Sequence, residues 1–254
     1  MKEQIYTIPL NESFDSGDEC PFCFLERNVE RSAINYAVGP EASYMESDVR
    51  GLTNEQGFCT HHMKALYDYG NALGSALILQ SYYKLLMDDF RDQIEHFDQP
   101  AKRGLFARAK QESDDAMPPL VKWSRRRQGT CYVCGKIENN MQRYYETFFM
   151  MSKTEEFRRK VEASKGFCMR HFGELVASAQ SNLSNGQRDW FYQKVFALMK
   201  ENMDRVKSDL DTFVGMFDYH QQNTIMPANA RDALSRSMQK LKGLHPSDPP
   251  FKGK

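Results

Sequence analysis

A chain of 254 residues is long enough to bury a sizeable core as one large domain or two small ones, so size alone does not demand covalent or metal staples. Its 34 basic and 34 acidic side chains balance, which removes any global electrostatic reason to bind nucleic acid or a membrane surface. No apolar run approaches the roughly 18–20 residues needed to span a bilayer.

Residues 1–20 carry no apolar stretch behind a basic start, so no secretory signal is expected and the cytoplasm is the expected compartment. Cys20-Pro21-Phe22-Cys23 then opens an amphipathic helix predicted over Phe24–Ala37, broken at Gly39-Pro40. Val49-Arg50 precedes Gly57-Phe58-Cys59-Thr60-His61-His62, where a further helix is expected to begin. Gly70 and Gly74 mark either a close helix approach or a helix boundary. The seam Tyr83, Met87, Phe90, Ile94, Phe97 steps by 4, 3, 4 and 3, as a helix packing face does.

Residues 98–130 read as a basic linker with one helix over Ala101–Glu112, the Pro118-Pro119 pair, and Arg125-Arg126-Arg127 as a solvated turn. The same order of elements then recurs. Cys131-Tyr132-Val133-Cys134 leads into a helix over Ile137–Met151, Phe157-Arg158 precedes Gly166-Phe167-Cys168-Met169-Arg170-His171, and a second seam runs Met203, Val206, Leu210, Phe213, Phe217. Both seams are expected to pack inside one helical bundle, ahead of the alternative that they form a dimer interface. A last helix is predicted over Ala228–Leu241, before a Pro-rich end that reads as disordered. The expected organisation is a first helical repeat at 1–97, a linker at 98–130, a second repeat at 131–220, and a C-terminal helix and tail at 221–254. The fold class is all-α.

The chemistry lies in the repeat. Each copy offers C-x-x-C and, thirty-odd residues later, G-F-C-x-x-H: three thiolates and one imidazole, which is a tetrahedral zinc set. Taken copy by copy, the ligands are Cys20, Cys23, Cys59 and His62 for one ion, and Cys131, Cys134, Cys168 and His171 for a second. On a helix C-x-x-H presents both side chains on one face, which selects His62 over the adjacent His61. All six cysteines are consumed. Three disulfides would need an oxidising compartment, and a thioredoxin-type pair would need a βαβ pattern that the sequence lacks. Arg50 and Arg158 are expected beside packed apolar residues. A weaker reading sets them facing the net negative charge of a zinc ion held by three thiolates.

The paired motifs, with Val49-Arg50 and Leu73-Gly74-Ser75-Ala76, resemble a family of uncharacterised bacterial proteins, seen mainly in clostridia and their relatives and known only as a domain of unknown function. The resemblance covers roughly residues 10–220 and implies the same eight ligands, but no activity.

Four protein donors per ion leave no exchangeable position, so both sites are expected to be structural. No Walker loop, G-x-S-x-G, H-E-x-x-H or G-x-G-x-x-G is present. His96 and His220 fall near helix ends, and Asp88-Asp89 and Asp114-Asp115 read as solvated. The expected function is a zinc-stabilised, non-enzymatic module, monomeric or dimeric, that binds a protein or a small ligand and neither nucleic acid nor membrane. The alternatives are a metal- or thiol-dependent enzyme, and a zinc or redox sensor.

Overall fold

A computed structural model describes residues 5–40, 43–98, 117–218, 225–243 and 245–246. The helix expected over Ala101–Glu112, His220, Asp114-Asp115 and most of the Pro-rich end lie outside these. The fold is all-α, and among the described residues there is no strand. The helices are α1 (Thr7–Asp15), α2 (Pro21–Val38), α3 (Ser47–Gln56), α4 (Thr60–Tyr69), α5 (Ala72–Glu95), α6 (Pro119–Gly129) and α7 (Tyr132–Met151). They continue with α8 (Glu155–Glu162), α9 (Met169–Asn182), α10 (Asn185–Trp190), a π turn at Phe191–Val195 running into α11 (Phe196–Gly215), α12 (Ala228–Arg231) and α13 (Ala233–Lys242). No helix among the described residues is long and apolar enough to cross a membrane.

Local chemistry explains many of these boundaries. Asn71 caps α5 by accepting from Gly74 N at 2.9 Å. Thr154 caps α8, whose first turn carries Glu155 and Glu156 and whose last carries Arg159 and Lys160, complementing the helix dipole. Ser184 and Gln187 form a capping box on α10. Pro118-Pro119, read from sequence as linker, starts α6, because a proline in the first helical turn forfeits no hydrogen bond. Arg125–Arg127 therefore lie on a helix and not in a turn, and Arg127 pairs with Asp89. Gly70 ends α4 with φ at +90°, so the glycine pair marks a helix boundary.

The chain divides into two compact units that do not follow the repeat bounds of 1–97, 98–130, 131–220 and 221–254. Unit 1 comprises Met1–Glu30 and Ile137–Pro249; unit 2 includes Arg31–Lys136. The core of unit 1 gathers Leu10 and Phe14 of α1, Phe22 and Leu25 of α2, Phe148 and Phe149 of α7, Phe167, Leu175 of α9, and Phe191. Within unit 1, α13 lies along α11. Within unit 2, α5 packs on α3, and Ile34, Val38, Val49, Leu66 and Ile78 are buried.

The two seams differ. Val206 of the second is buried and Met203 packs on the core of unit 1. The first is largely on the surface. Tyr83 is 61% and Ile94 53% exposed, and among the described residues only Phe90 finds an aromatic partner, Trp123 of α6, at 5.9 Å between centroids. Hydrophobic periodicity marks a helix face correctly while saying nothing of whether another helix covers it.

A candidate metal centre in each unit

The G-F-C-x-x-H segments are built alike. Gly57 and Gly166 hold φ at +61° and +73°, a region open to glycine at little cost. A Cβ at Gly57 would also meet the Tyr82 hydroxyl at 2.8 Å. The turn delivers Cys59 to the N-cap of α4 and Cys168 to the N-cap of α9, so that His62 and His171 sit three residues on, in the first turn. Val49 and Phe157 are packed, as the sequence implies. Arg50 and Arg158 do not serve the metal centres: Arg50 donates to Leu77 O at 2.6 Å, and Arg158 donates to Ser152 O at 2.6 Å while lying over the Trp190 ring.

All eight residues singled out from the sequence come together, but in exchanged pairs. Cys20, Cys23, Cys168 and His171 form one cluster, entirely in unit 1; Cys59, His62, Cys131 and Cys134 form the other, entirely in unit 2. Each C-x-x-C thus meets the C-x-x-H of the other repeat, which corrects the copy-by-copy grouping. Within each cluster the donor atoms lie within 4.8 Å of one another, so either could hold a metal ion.

In unit 1 the His171 Nδ1 stands 3.4, 3.4 and 3.3 Å from the sulfurs of Cys20, Cys23 and Cys168, and the Cys23 and Cys168 sulfurs are 3.7 Å apart. All four residues are 0% exposed. In unit 2 the His62 Nδ1 stands 3.2, 3.3 and 3.4 Å from Cys59, Cys131 and Cys134, with 3.8 Å between the Cys59 and Cys134 sulfurs. Here His62 and Cys131 are buried, Cys59 is half-buried and Cys134 is exposed. All six cysteines are free.

The four groups share protons unequally. In unit 1, burial pushes the His171 imidazole down, but the Cys168 and Cys20 sulfurs outweigh it and raise the pKa to about 10. Cys168 is pushed far down by hydrogen bonds from Cys20 and Cys23, and Cys23 far up by its hydrogen bonds with Cys168 and Cys20 and by burial. In unit 2, burial pushes the Cys131 thiol up, yet hydrogen bonds from His62 and from backbone amides bring it to about 6; burial and the nearby Cys131 thiolate push Cys134 up to about 12. A cation entering such a set replaces protons, which makes its binding pH-dependent.

Three residues of the unit 1 surroundings carried no sequence expectation. Arg170, inside the C-x-x-H, grips Glu26 of α2 with both guanidinium nitrogens. The Glu26 carboxylate lies 3.5 Å from His171 Nε2, which makes no hydrogen bond. That placement favours a proton on Nε2 and leaves Nδ1 free to ligate, as carboxylates behind metal-binding histidines do. Lys240 of α13, 1% exposed, donates to Glu19 O and to Lys165 O, both at 2.5 Å. It thereby ties the residue before Cys20 to the residue before Gly166. Unit 2 makes the corresponding tie through its backbone, Tyr132 N donating to Gly57 O at 2.9 Å, which Pro21 could not do in unit 1 for want of an N–H.

If the unit 2 cluster holds an ion, His62→Ala is expected to cost one ion per chain and to lower thermal stability, while His61→Ala leaves metal content unchanged, since His62 Nδ1 stands among three sulfurs and His61 belongs to neither Cys3His cluster. Metal analysis of the two purified variants checks this. A second expectation concerns α11 and α13. Asp209 is buried, which pushes its carboxyl up, but Asn229 and Arg236 hydrogen-bond it and hold it below its usual value of 3.8. Its pairing therefore contributes stability above that value, and the contribution is lost as the pH falls through the lower folded-state value. In thermal melts between about pH 2 and 7, Asp209→Asn should be less stable than the wild type near neutrality and lose less on acidification.

No curated protein and no solved structure matches the chain. The model of a family of unknown function, DUF6062, matches residues 1–248, further than the motif-bearing span of 10–220, and the chain belongs to that family.

Proposed function

We propose that the protein binds two zinc ions in closed, structural Cys3His sites, and that it acts as a non-enzymatic helical module for a protein or small-ligand partner. The carrying observation is the spacing of the donors. A tetrahedral ion about 2.3 Å from sulfur and about 2.0–2.1 Å from nitrogen sets sulfurs about 3.8 Å apart and sulfur and nitrogen about 3.5 Å apart. One sulfur pair in each unit stands at 3.7 or 3.8 Å, the remaining donors lie within 4.8 Å of one another, and the sulfur–nitrogen pairs, at 3.2–3.4 Å, are slightly inside that tetrahedron in both units. Thiolate and imidazole donors in tetrahedral array favour zinc over the hard cations.

With four protein donors around it, each ion has no place for an activated water, which supports a scaffold role over Lewis-acid catalysis. The test is elemental analysis with X-ray absorption on protein purified without added metal. Two zinc ions per chain, each with three sulfurs and one nitrogen, are expected. A count near zero, or a first shell containing a water oxygen, would overturn the structural reading.

A further inference from the structure

The two clusters are alike in donors and unlike in cover. Around the unit 1 cluster, Phe22 lies against His171, Tyr145 and Phe167 at 6.0, 4.7 and 5.6 Å between centroids, and the Arg170–Glu26 pair stands behind the imidazole. None of its four donors reaches solvent. In unit 2 the position matching Phe22 is Val133, Cys134 is exposed and Cys59 is half-buried. Those two sulfurs are neighbours at 3.8 Å.

We propose, on the reading that both clusters bind zinc, that the unit 2 centre is a site of oxidative modification. Cys134 is the thiolate that attacks a peroxide-class oxidant, and Cys59 is its disulfide partner. The Cys134 sulfur attacks one peroxide oxygen, the O–O bond breaks, and Cys134 becomes a sulfenic acid as hydroxide leaves. The Cys59 thiolate then attacks the Cys134 sulfur; the S–S bond forms, the S–O bond breaks, and a second hydroxide leaves. Two electrons pass from the two thiolates to hydrogen peroxide, which ends as two waters once two protons are taken up. Closing the sulfurs from 3.8 Å to the roughly 2.05 Å of a disulfide removes two of four donors at once. Cys131 and His62 alone hold the ion poorly, and it leaves. A dithiol reductant with added zinc restores the site. The unit 1 ion, behind aromatic rings and with no exposed sulfur, stays.

The experiment uses the full wild-type chain, its metal content measured first. A starting count near zero overturns the zinc reading itself. From a two-ion protein, hydrogen peroxide in the presence of a chromogenic zinc chelator is expected to release one ion per chain, the second appearing only after guanidinium is added. Differential alkylation and peptide mapping should find Cys59 and Cys134 bridged, and Cys20, Cys23 and Cys168 reduced. Release of both ions together, release of neither, or a Cys131–Cys134 bridge would overturn the proposal while leaving the zinc reading standing.

Discussion

Cys23→Ala combined with His171→Ala is expected to remove one metal ion per chain, whereas Cys23→Ala combined with His62→Ala removes both. The first pair of substitutions strips two donors from one cluster; the second strips one from each. Under the copy-by-copy grouping the outcomes would be reversed in kind, because Cys23 and His62 would share an ion and Cys23 and His171 would not. On the zinc reading proposed above, a structural ion contributes on the order of 10 kcal/mol of folding free energy, so its loss from unit 1 should be visible as a lower transition in circular dichroism. Elemental analysis of the two double variants, with His62→Ala and His171→Ala alone as references, decides the pairing. Retention of one ion by the Cys23/His62 variant would refute the exchanged arrangement.

Lys240→Met is expected to destabilise unit 1 by about 3 kcal/mol, near the low end of the cost of breaking a buried pair, because Arg205 still holds one oxygen of Glu19 at 2.6 Å. The ammonium is buried, and burial pulls its pKa below the usual value while Glu19 opposes that pull. Removing it leaves two backbone carbonyls without their donor and leaves Glu19, 4% exposed, with less compensation. Chemical denaturation followed by helicity measures the effect. Because Lys240 joins the strands of chain leading to Cys20 and to Gly166, the variant should also release the unit 1 ion to a competing chelator sooner. A stability change under about 1 kcal/mol, within the range of ordinary surface substitutions, would contradict this account.

Much of this was legible in the sequence, and the exceptions share a cause. The eight Cys and His residues that cluster, the helices starting after Cys59 and Cys168, and the helix that runs on from each C-x-x-C follow from short-range rules, in which spacing and turn chemistry are local. The pairing is not local. A C-x-x-C with either C-x-x-H makes an acceptable tetrahedral set, and nothing in the spacing distinguishes the one 36 residues downstream from the one 145 away. The exposed face of α5 departs from expectation for the same reason: period fixes the stripe, and only the rest of the fold fixes its cover. Lys240 had no signal at all. One basic residue near the end of a basic helix looks like a partner for the helix dipole, and its two carbonyl acceptors lie 75 and 221 residues away.

The exchange of partners makes the two centres nested along the chain. Every donor of the unit 2 cluster, from Cys59 to Cys134, falls inside the interval closed by the unit 1 cluster, from Cys20 to His171. A ribosome therefore finishes the inner set while the outer one is half made. At about 5–20 residues per second, the 37 residues from Cys134 to His171 take about 2–7 s more. Cys20 and Cys23 are the first donors to emerge and the last to be completed. Through that interval they form a two-sulfur half-site, next to an inner unit whose four donors are already all synthesised.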